Sequence, residues 1–177
     1  MTKLAALSAP ALIAVGAALL AACGYHVGGR ADLMPKTMKS IAIEPFGNGT
    51  TRYELARRLP EDLTREFHSR TKYLILTDAA QADAVLSGSL VTFNPYPTVS
   101  DPKSNRATAI QIEVTVNVSL RDRRTGAVLF AANGVRFRER YEVALDPNQY
   151  FDESGPAMIR LSQDVARDVV SSILEKF

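Results

Sequence analysis

Cysteine occurs once in this chain of 177 residues, tryptophan not at all and histidine only twice. A lone cysteine, Cys23, leaves no partner for an internal disulfide and excludes a centre built from several thiolates. His26 lies in a glycine-rich stretch and His68 among charged residues near a helix end. Neither stands at ligand spacing from another His or Cys, so surface histidines and no metal site are expected. An excess of one charge is missing as well. Lys and Arg number 21 against 19 Asp and Glu, a formal net charge of +2, which makes no electrostatic case for nucleic acid. Catalytic signatures are equally scarce. No G-x-S-x-G occurs, and Ser87-Gly88-Ser89 falls inside a predicted strand rather than at a strand-to-helix turn. Asn48-Gly49-Thr50 lacks the lysine and the glycine spacing of a phosphate loop. The adjacent carboxylates Glu61-Asp62 read as the acidic first turn of a helix restarting after Pro60, not as an acid/base couple. Asn-x-Ser/Thr at Asn48 and Asn117 reads as coincidence. The chain is therefore expected not to be an enzyme and to need no cofactor.

Beyond residue 20 no stretch approaches 18 apolar residues, so nothing later is expected to cross a bilayer as a helix. Before it, the chain has a targeting segment. Met1-Thr2-Lys3 supplies a positive start, and residues 4–20 form an Ala- and Leu-rich run broken only by Ser8, Pro10 and Gly16. At about 17 residues with a proline inside, it suits a cleaved signal better than a stable spanning helix. It ends in Leu20-Ala21-Ala22-Cys23, which resembles the bacterial lipobox [LVI]-[ASTVI]-[GAS]-Cys at all four positions. Residues 1–22 are thus expected to be a removed signal peptide, with Cys23 as the acylated first residue of the mature chain. Residues 23–37, opening Gly24-Tyr25-His26-Val27-Gly28-Gly29-Arg30, read as a lipidated tether, and residues 38–177 as a single domain with enough chain for a core.

Within that domain, residues 38–46 look like a buried first strand closed by Pro45 and the turn residues Gly47-Asn48-Gly49. Residues 52–70 have helical spacing, with Leu55, Leu59, Leu63 and Phe67 on one stripe and Pro60 expected to kink or restart the helix. Residues 73–77 read as a lead-in, 78–83 as an irregular join and 84–93 as the strand proper. Residues 94–106 contain three prolines and read as an exposed loop. The plainest pattern lies at residues 109–120. There Ile110, Ile112, Val114, Val116, Val118 and Leu120 alternate with Gln111, Glu113, Thr115, Asn117 and Ser119. Period two means one dry and one polar face. Residues 121–126 form a hairpin turn, and residues 127–143 return as a partner strand with a bulge at Asn133-Gly134. Residues 146–154 are irregular, with Asp152 and Ser154 as cap residues. Residues 157–177 form a closing helix striped by Leu161, Val165, Val169 and Ile173, and widened by Met158, Ala166, Val170 and Phe177. The order β-α-β-β-β-α predicts an α+β two-layer sandwich: two helices on one face of a four-stranded mixed sheet, the other face polar and uncovered.

Arginines supply the one suggestive charge pattern. Arg121, Arg123 and Arg124 crowd the hairpin, while Arg136, Arg138 and Arg140 alternate along the returning strand and so share a face. Arginine's fork matches phosphate, although a solvated face neutralised by Glu139 and Glu142 is the plainer reading of any single one.

Several residues in order resemble the LptE family of lipopolysaccharide-assembly lipoproteins. They are Cys23-Gly24-Tyr25-His26, then Pro45-Phe46-x-Asn48-x-Thr50, then Ala82-Asp83-Ala84-Val85-Leu86-x-Gly88. The long alternating strand with Gly126-x-x-Leu129, and Tyr141 before the last helix, complete the set. The resemblance implies an outer-membrane lipoprotein with its domain on the periplasmic side. It also implies two helices on a four-stranded sheet, and a role as a plug inside an LptD-type β-barrel that assists barrel assembly and lipopolysaccharide transport. The implied partners are that barrel, lipopolysaccharide, and membrane lipid through Cys23. Gly24 stands where an aspartate would resemble an inner-membrane retention signal. The family supplies no lipopolysaccharide-binding motif to place here, so the six arginines are candidates on charge alone. A curli-type secretion lipoprotein or a peptidoglycan-synthase activator is the alternative, since those share the I-A-I-x-P-F strand end. Against it, the chain ends at its second long helix.

Overall fold

Alternation at residues 109–120 is the organising feature of the computed structural model, which describes residues 38–144 and 152–176. The strands are β1 (Ser40–Ile43), β2 (Gly47–Asn48), β3 (Leu74–Leu76), β4 (Ala84–Ser100), β5 (Ala107–Asp122) and β6 (Val128–Glu142). The helices are α1 (Tyr53–Arg70), between β2 and β3, and α2 (Ser154–Glu175), after β6. The signal segment, Cys23, the tether, most of the join at 146–154 and Phe177 lie outside the described residues.

The sheet runs β3-β1-β4-β5-β6, with β2 also pairing β4. Both β3 and β4 lie parallel to β1, whereas β4, β5 and β6 form an antiparallel meander. Ile112, Val114, Val116, Val118 and Leu120 are each at most 2% exposed and face the helices. Above them, Leu55, Leu59, Leu63 and Phe67 of α1 and Leu161, Val165, Val169 and Ile173 of α2 are buried in the same core. Both helices thus cover one face of a mixed sheet, as expected. Arg70, in the last turn of α1, donates to the Ser171 hydroxyl (2.7 Å) and the Arg167 carbonyl (3.5 Å), which ties the C-terminal parts of the helices together.

The sheet has six strands, not four. Residues 73–77 are more than a lead-in: Leu74–Leu76 pairs with β1 from Ser40↔Leu74 to Ala42↔Leu76 as a short edge. Gly47 and Asn48 do not turn the chain away after Pro45 but continue along β4, with Glu44 N–H on the Leu86 carbonyl (2.9 Å) and Gly49 N–H on the Leu90 carbonyl (2.8 Å). Most of the expected loop at 94–106 is strand as well, since β4 runs to Ser100 and only residues 101–106 turn. Pro95 and Pro97 fit because β1 and β2 stop at Leu90. Two residues apart, they remove donors from one strand edge, and that edge has no partner among the described residues.

Pro60 neither ends nor restarts α1, which is continuous from Tyr53 to Arg70. A proline inside a helix costs about 3 kcal/mol, while each fully buried Leu or Phe returns about 1.5–3 kcal/mol. Two stripe residues on either side of Pro60 therefore hold the helix through it. Glu61 and Asp62 are consequently mid-helix rather than first-turn residues. Glu61 pairs with Arg57 (3.3 Å), and the buried Asp62 pairs with Arg65 (2.6 Å) and Arg58 (3.3 Å). In β6 the bulge is where it was expected. Register passes from Val116↔Val135 to Val118↔Ala132, Gly134 has φ +69°, and its N–H donates to Asn117 Oδ1 (2.8 Å). Helix α2 begins at Ser154, three residues earlier than expected, with Asp152 accepting from Ser154 N–H (2.9 Å).

Candidate functional site

Among the described residues, the face of β4, β5 and β6 opposite α1 and α2 carries no helix and has room for a partner. Period two delivers Gln111, Glu113, Thr115, Asn117 and Ser119 to it, all half-buried, because the opposite parity is committed to the core. Across the register lie Arg140 beside Gln111, Arg138 beside Glu113 and Arg136 beside Thr115. From β4 come Thr92, whose hydroxyl donates to Thr115 Oγ1 (2.8 Å), and Tyr96, whose hydroxyl accepts from Gln111 Nε2 (2.8 Å). Further along is a shallow dent of about 250 Å³ lined by Ser87, Ser89, Asn117, Ser119 and Asn133. Among the described residues this surface offers hydroxyls, amides, guanidinium groups and the Glu113 carboxylate.

The three alternating arginines are brought together. Arg136, Arg138 and Arg140 are all exposed on the polar face. Arg138 Nε donates to Glu113 Oε2 at 2.8 Å, and this bond together with the Glu113 charge raises the guanidinium's pKa above its ordinary value. Arg136 and Arg140 make no ion pair among the described residues. Glu139 is not a neutralising neighbour of this ladder, because it points to the helix side and pairs with Arg160 of α2 (2.5 Å). Glu142, the next step after Arg140, makes no ion pair with it.

The other three arginines are elsewhere. Strand β5 extends to Asp122, so Arg121 ends a strand and the turn proper is 123–125. Arg121 and Arg124 are exposed at this end, six residues from Thr115 along β5 in the case of Arg121, or about 20 Å. Arg123 is engaged in the fold: its Nε donates to the Ala82 carbonyl (2.5 Å) and its N–H to the Asp83 carbonyl (2.9 Å). His68 is exposed, and among the described residues no group of His, Cys, Asp and Glu could hold a metal ion. No helix of the described residues is long and apolar enough to cross a membrane.

Asp83, placed in an irregular join by the sequence, is a clamp instead. Its carboxylate accepts from Lys39 N–H (2.8 Å), Ser40 N–H (3.0 Å) and the Ser40 hydroxyl (3.0 Å), while its own N–H donates back to Ser40 Oγ (3.0 Å). The Lys39 amide bond is the main reason that its pKa lies below the usual 3.8, followed by the Ser40 hydroxyl, with Arg123 adding a smaller charge effect. Other marked residues also turn out to be structural. Asn48 Oδ1 accepts from Thr50 N–H (2.9 Å) and Oγ1 (2.8 Å), closing the turn that leads into α1. The Phe46 ring lies where a Cβ on Gly88 would be.

The fold is shared with other small bacterial proteins. Similar structures include protein XCC0632 from Xanthomonas campestris (TM-score 0.55, 11% identity, 82% of this chain and 89% of that chain). Two others are the PelC dodecamer from Paraburkholderia phytofirmans (TM-score 0.51, 15% identity, 77% and 88%) and a candidate lipoprotein from Caulobacter crescentus (TM-score 0.51, 16% identity, 75% and 88%). These likenesses concern the fold. No curated relative matches the sequence. The family itself is shown by its model, LptE, lipopolysaccharide-assembly, which matches residues 38–173: the chain belongs to the LptE family.

Proposed function

We propose that the chain is an outer-membrane lipoprotein, anchored through acylated Cys23, whose domain plugs an LptD-type barrel, aids its assembly and helps lipopolysaccharide reach the cell surface. The observation that carries this reading is the uncovered polar sheet face in a member of the lipopolysaccharide-assembly family. A plug needs a surface at ease in the wet lumen of a barrel, whose interior is polar. The arginine ladder on that face meets the phosphates of lipopolysaccharide as it passes. Several acyl chains on Cys23 hold the domain at the membrane, since each buried methylene contributes about 0.8 kcal/mol.

Purification of the tagged chain from detergent-solubilised outer membranes tests the plug. A large barrel recovered in equal amount is the expected outcome, and a chain recovered alone or as a homomeric ring would overturn it. Cys23→Ser tests the anchor separately: the variant should accumulate as an unacylated precursor. A mature wild-type chain that starts elsewhere and carries no lipid, read by mass spectrometry, would contradict it.

A further inference from the structure

The two ends of the sheet carry different charge, and the chain enters the domain at the basic one. Strand β1 begins at Ser40, two residues after Met38, with Leu74 level with it on β3 and the Asp83 carboxylate bonded to it. Arg123 continues this row across the sheet, its N–H on the Asp83 carbonyl (2.9 Å). Around the row stand Lys39, Lys72, Arg121 and Arg124. All four are exposed, and none forms an ion pair among the described residues. Asp83 and Asp122, which share this end, are turned to backbone: Asp83 accepts from the Lys39 and Ser40 N–H groups and Asp122 from the Thr125 N–H (2.7 Å). The four cations extend from the approach to β3 to the end of β5, three strand spacings or about 14 Å. At the opposite end, where β6 stops and α2 begins, acidic residues gather. There the Glu142 N–H donates to Glu153 Oε2 (3.2 Å), and Asp152 is exposed beside them.

A single anion does not fill that breadth, whereas a plane of anions does. Residues 24–37 connect Cys23 to this end and span at most about 50 Å, with Arg30 and Lys36 against Asp32 along the way. Acyl chains on Cys23 therefore keep the domain within reach of the bilayer whichever end faces it, and charge selects the end. We infer that the surface bearing Lys39, Lys72, Arg121 and Arg124 docks on the anionic phospholipid headgroups of the leaflet that holds those acyl chains. The strands then stand on the membrane with the acidic end pointing away, and the face opposite the helices stays uncovered. Each basic side chain brought to an anionic surface favours docking about fivefold, and the attraction fades within a Debye length. This rests on the acyl anchor proposed above and is independent of the barrel.

The chain has no tryptophan, so a single introduced one reports its own surroundings. Val128→Trp places it at the basic end and Val99→Trp at the other, both at positions about half exposed. The full lipidated chain is reconstituted into vesicles of phosphatidylcholine alone or of phosphatidylcholine mixed with phosphatidylglycerol. Each vesicle also contains a phospholipid with a nitroxide on its headgroup, and quenching of the tryptophan is read at low ionic strength. Quenching of Val128→Trp should rise severalfold with phosphatidylglycerol and return to the phosphatidylcholine value in high salt, while that of Val99→Trp stays level. Adding Lys39→Gln, Arg121→Gln and Arg124→Gln to Val128→Trp should remove the rise without lowering the melting point, since none of the three is in an ion pair. No rise, an equal rise in both tryptophan variants, or a rise that survives the three substitutions would overturn the inference. Flotation on pure phosphatidylcholine vesicles reports the acyl anchor separately. A chain that floats without the phosphatidylglycerol-dependent rise defeats this inference alone. A chain that fails to float defeats the anchor alone, because the same rise is then read on protein added from solution.

Discussion

The two faces of β5 come from the same sixteen residues and have opposite tolerances. On one, Ile112 to Leu120 in steps of two are sealed by both helices to 2% exposure or less. On the other, Gln111 to Ser119 in steps of two remain half-buried, with no helix of the described residues above them. The dry face is packed at solid density, so its residues are interchangeable only with others of like size and polarity. The wet face is bonded pairwise across strands and can be edited one pair at a time. Stability thus resides on one side of the strand, and the chemistry open to a ligand on the other.

Val116→Asp is the most severe way to break that contrast. Val116 has no exposed surface. An unpaired carboxylate there should cost about 4 kcal/mol or more and prevent folding at ordinary temperature. Thr115→Asp, one residue along, should cost under about 1 kcal/mol. Thermal melts of the two variants check this, and similar losses would mean that the faces are not independent.

Gly88→Ala comes next. The added methyl would collide with the Phe46 ring and stand 2.8 Å from the Asn117 carbonyl oxygen. Backbone on one side and a packed ring on the other cannot both give way, so a loss of about 2–3 kcal/mol is expected. A compensating Phe46→Leu in the same chain should recover part of it, and no recovery would place the strain elsewhere.

Asp83→Ala should cost about 2 kcal/mol, from three lost hydrogen bonds to a charged acceptor of which some are replaced by water. Its pH dependence has a definite sign. The folded-state pKa is lowered, so the contribution of Asp83 is whole above pH 3.8 and disappears as pH falls through the depressed value. The gap between wild type and variant in denaturant melts should therefore stay constant from neutral pH to about pH 5 and close in stronger acid. A gap that widened in acid would assign the clamp to another group.

Legibility in the sequence followed the range of the interaction. Both helix stripes, the β5 alternation and the Asn133-Gly134 bulge were readable because period and turn chemistry are local. The extension of β4 through Pro95 and Pro97 was not, since three prolines within residues 94–106 signal a loop unless it is known that the strand's outer edge is bare there. Three-residue β3 carries too little pattern to distinguish from a connection. The arginine ladder was visible as a period, but its grading was not. Glu113 lies 25 positions from Arg138, and only the register of β5 on β6 brings them opposite. Asp83 escaped for the same reason, 43 positions from the Ser40 it fastens.

The gentlest change to the fold should be the one most damaging to a ligand. Arg136→Glu combined with Arg138→Glu reverses two exposed side chains on the wet face and breaks one bond, to Glu113. Nothing in the core moves, although the carboxylate introduced in place of Arg138 would stand opposite Glu113, and like charges directly across a strand pair repel mildly. The melting point should consequently fall less than in Val116→Asp, Gly88→Ala or Asp83→Ala. Lipopolysaccharide binding should drop sharply at low salt, and the deficit should shrink as salt rises, because exposed phosphate contacts are screened beyond about 10 Å at 0.1 M. Barrel recovery should be preserved, as contacts with a barrel lumen would extend over far more surface than two side chains. Undiminished lipopolysaccharide binding would remove the arginines from the site while sparing the plug. A melting-point loss as large as that of Gly88→Ala would show that the wet face also carries the fold, and would end the division of labour between the two sides of β5.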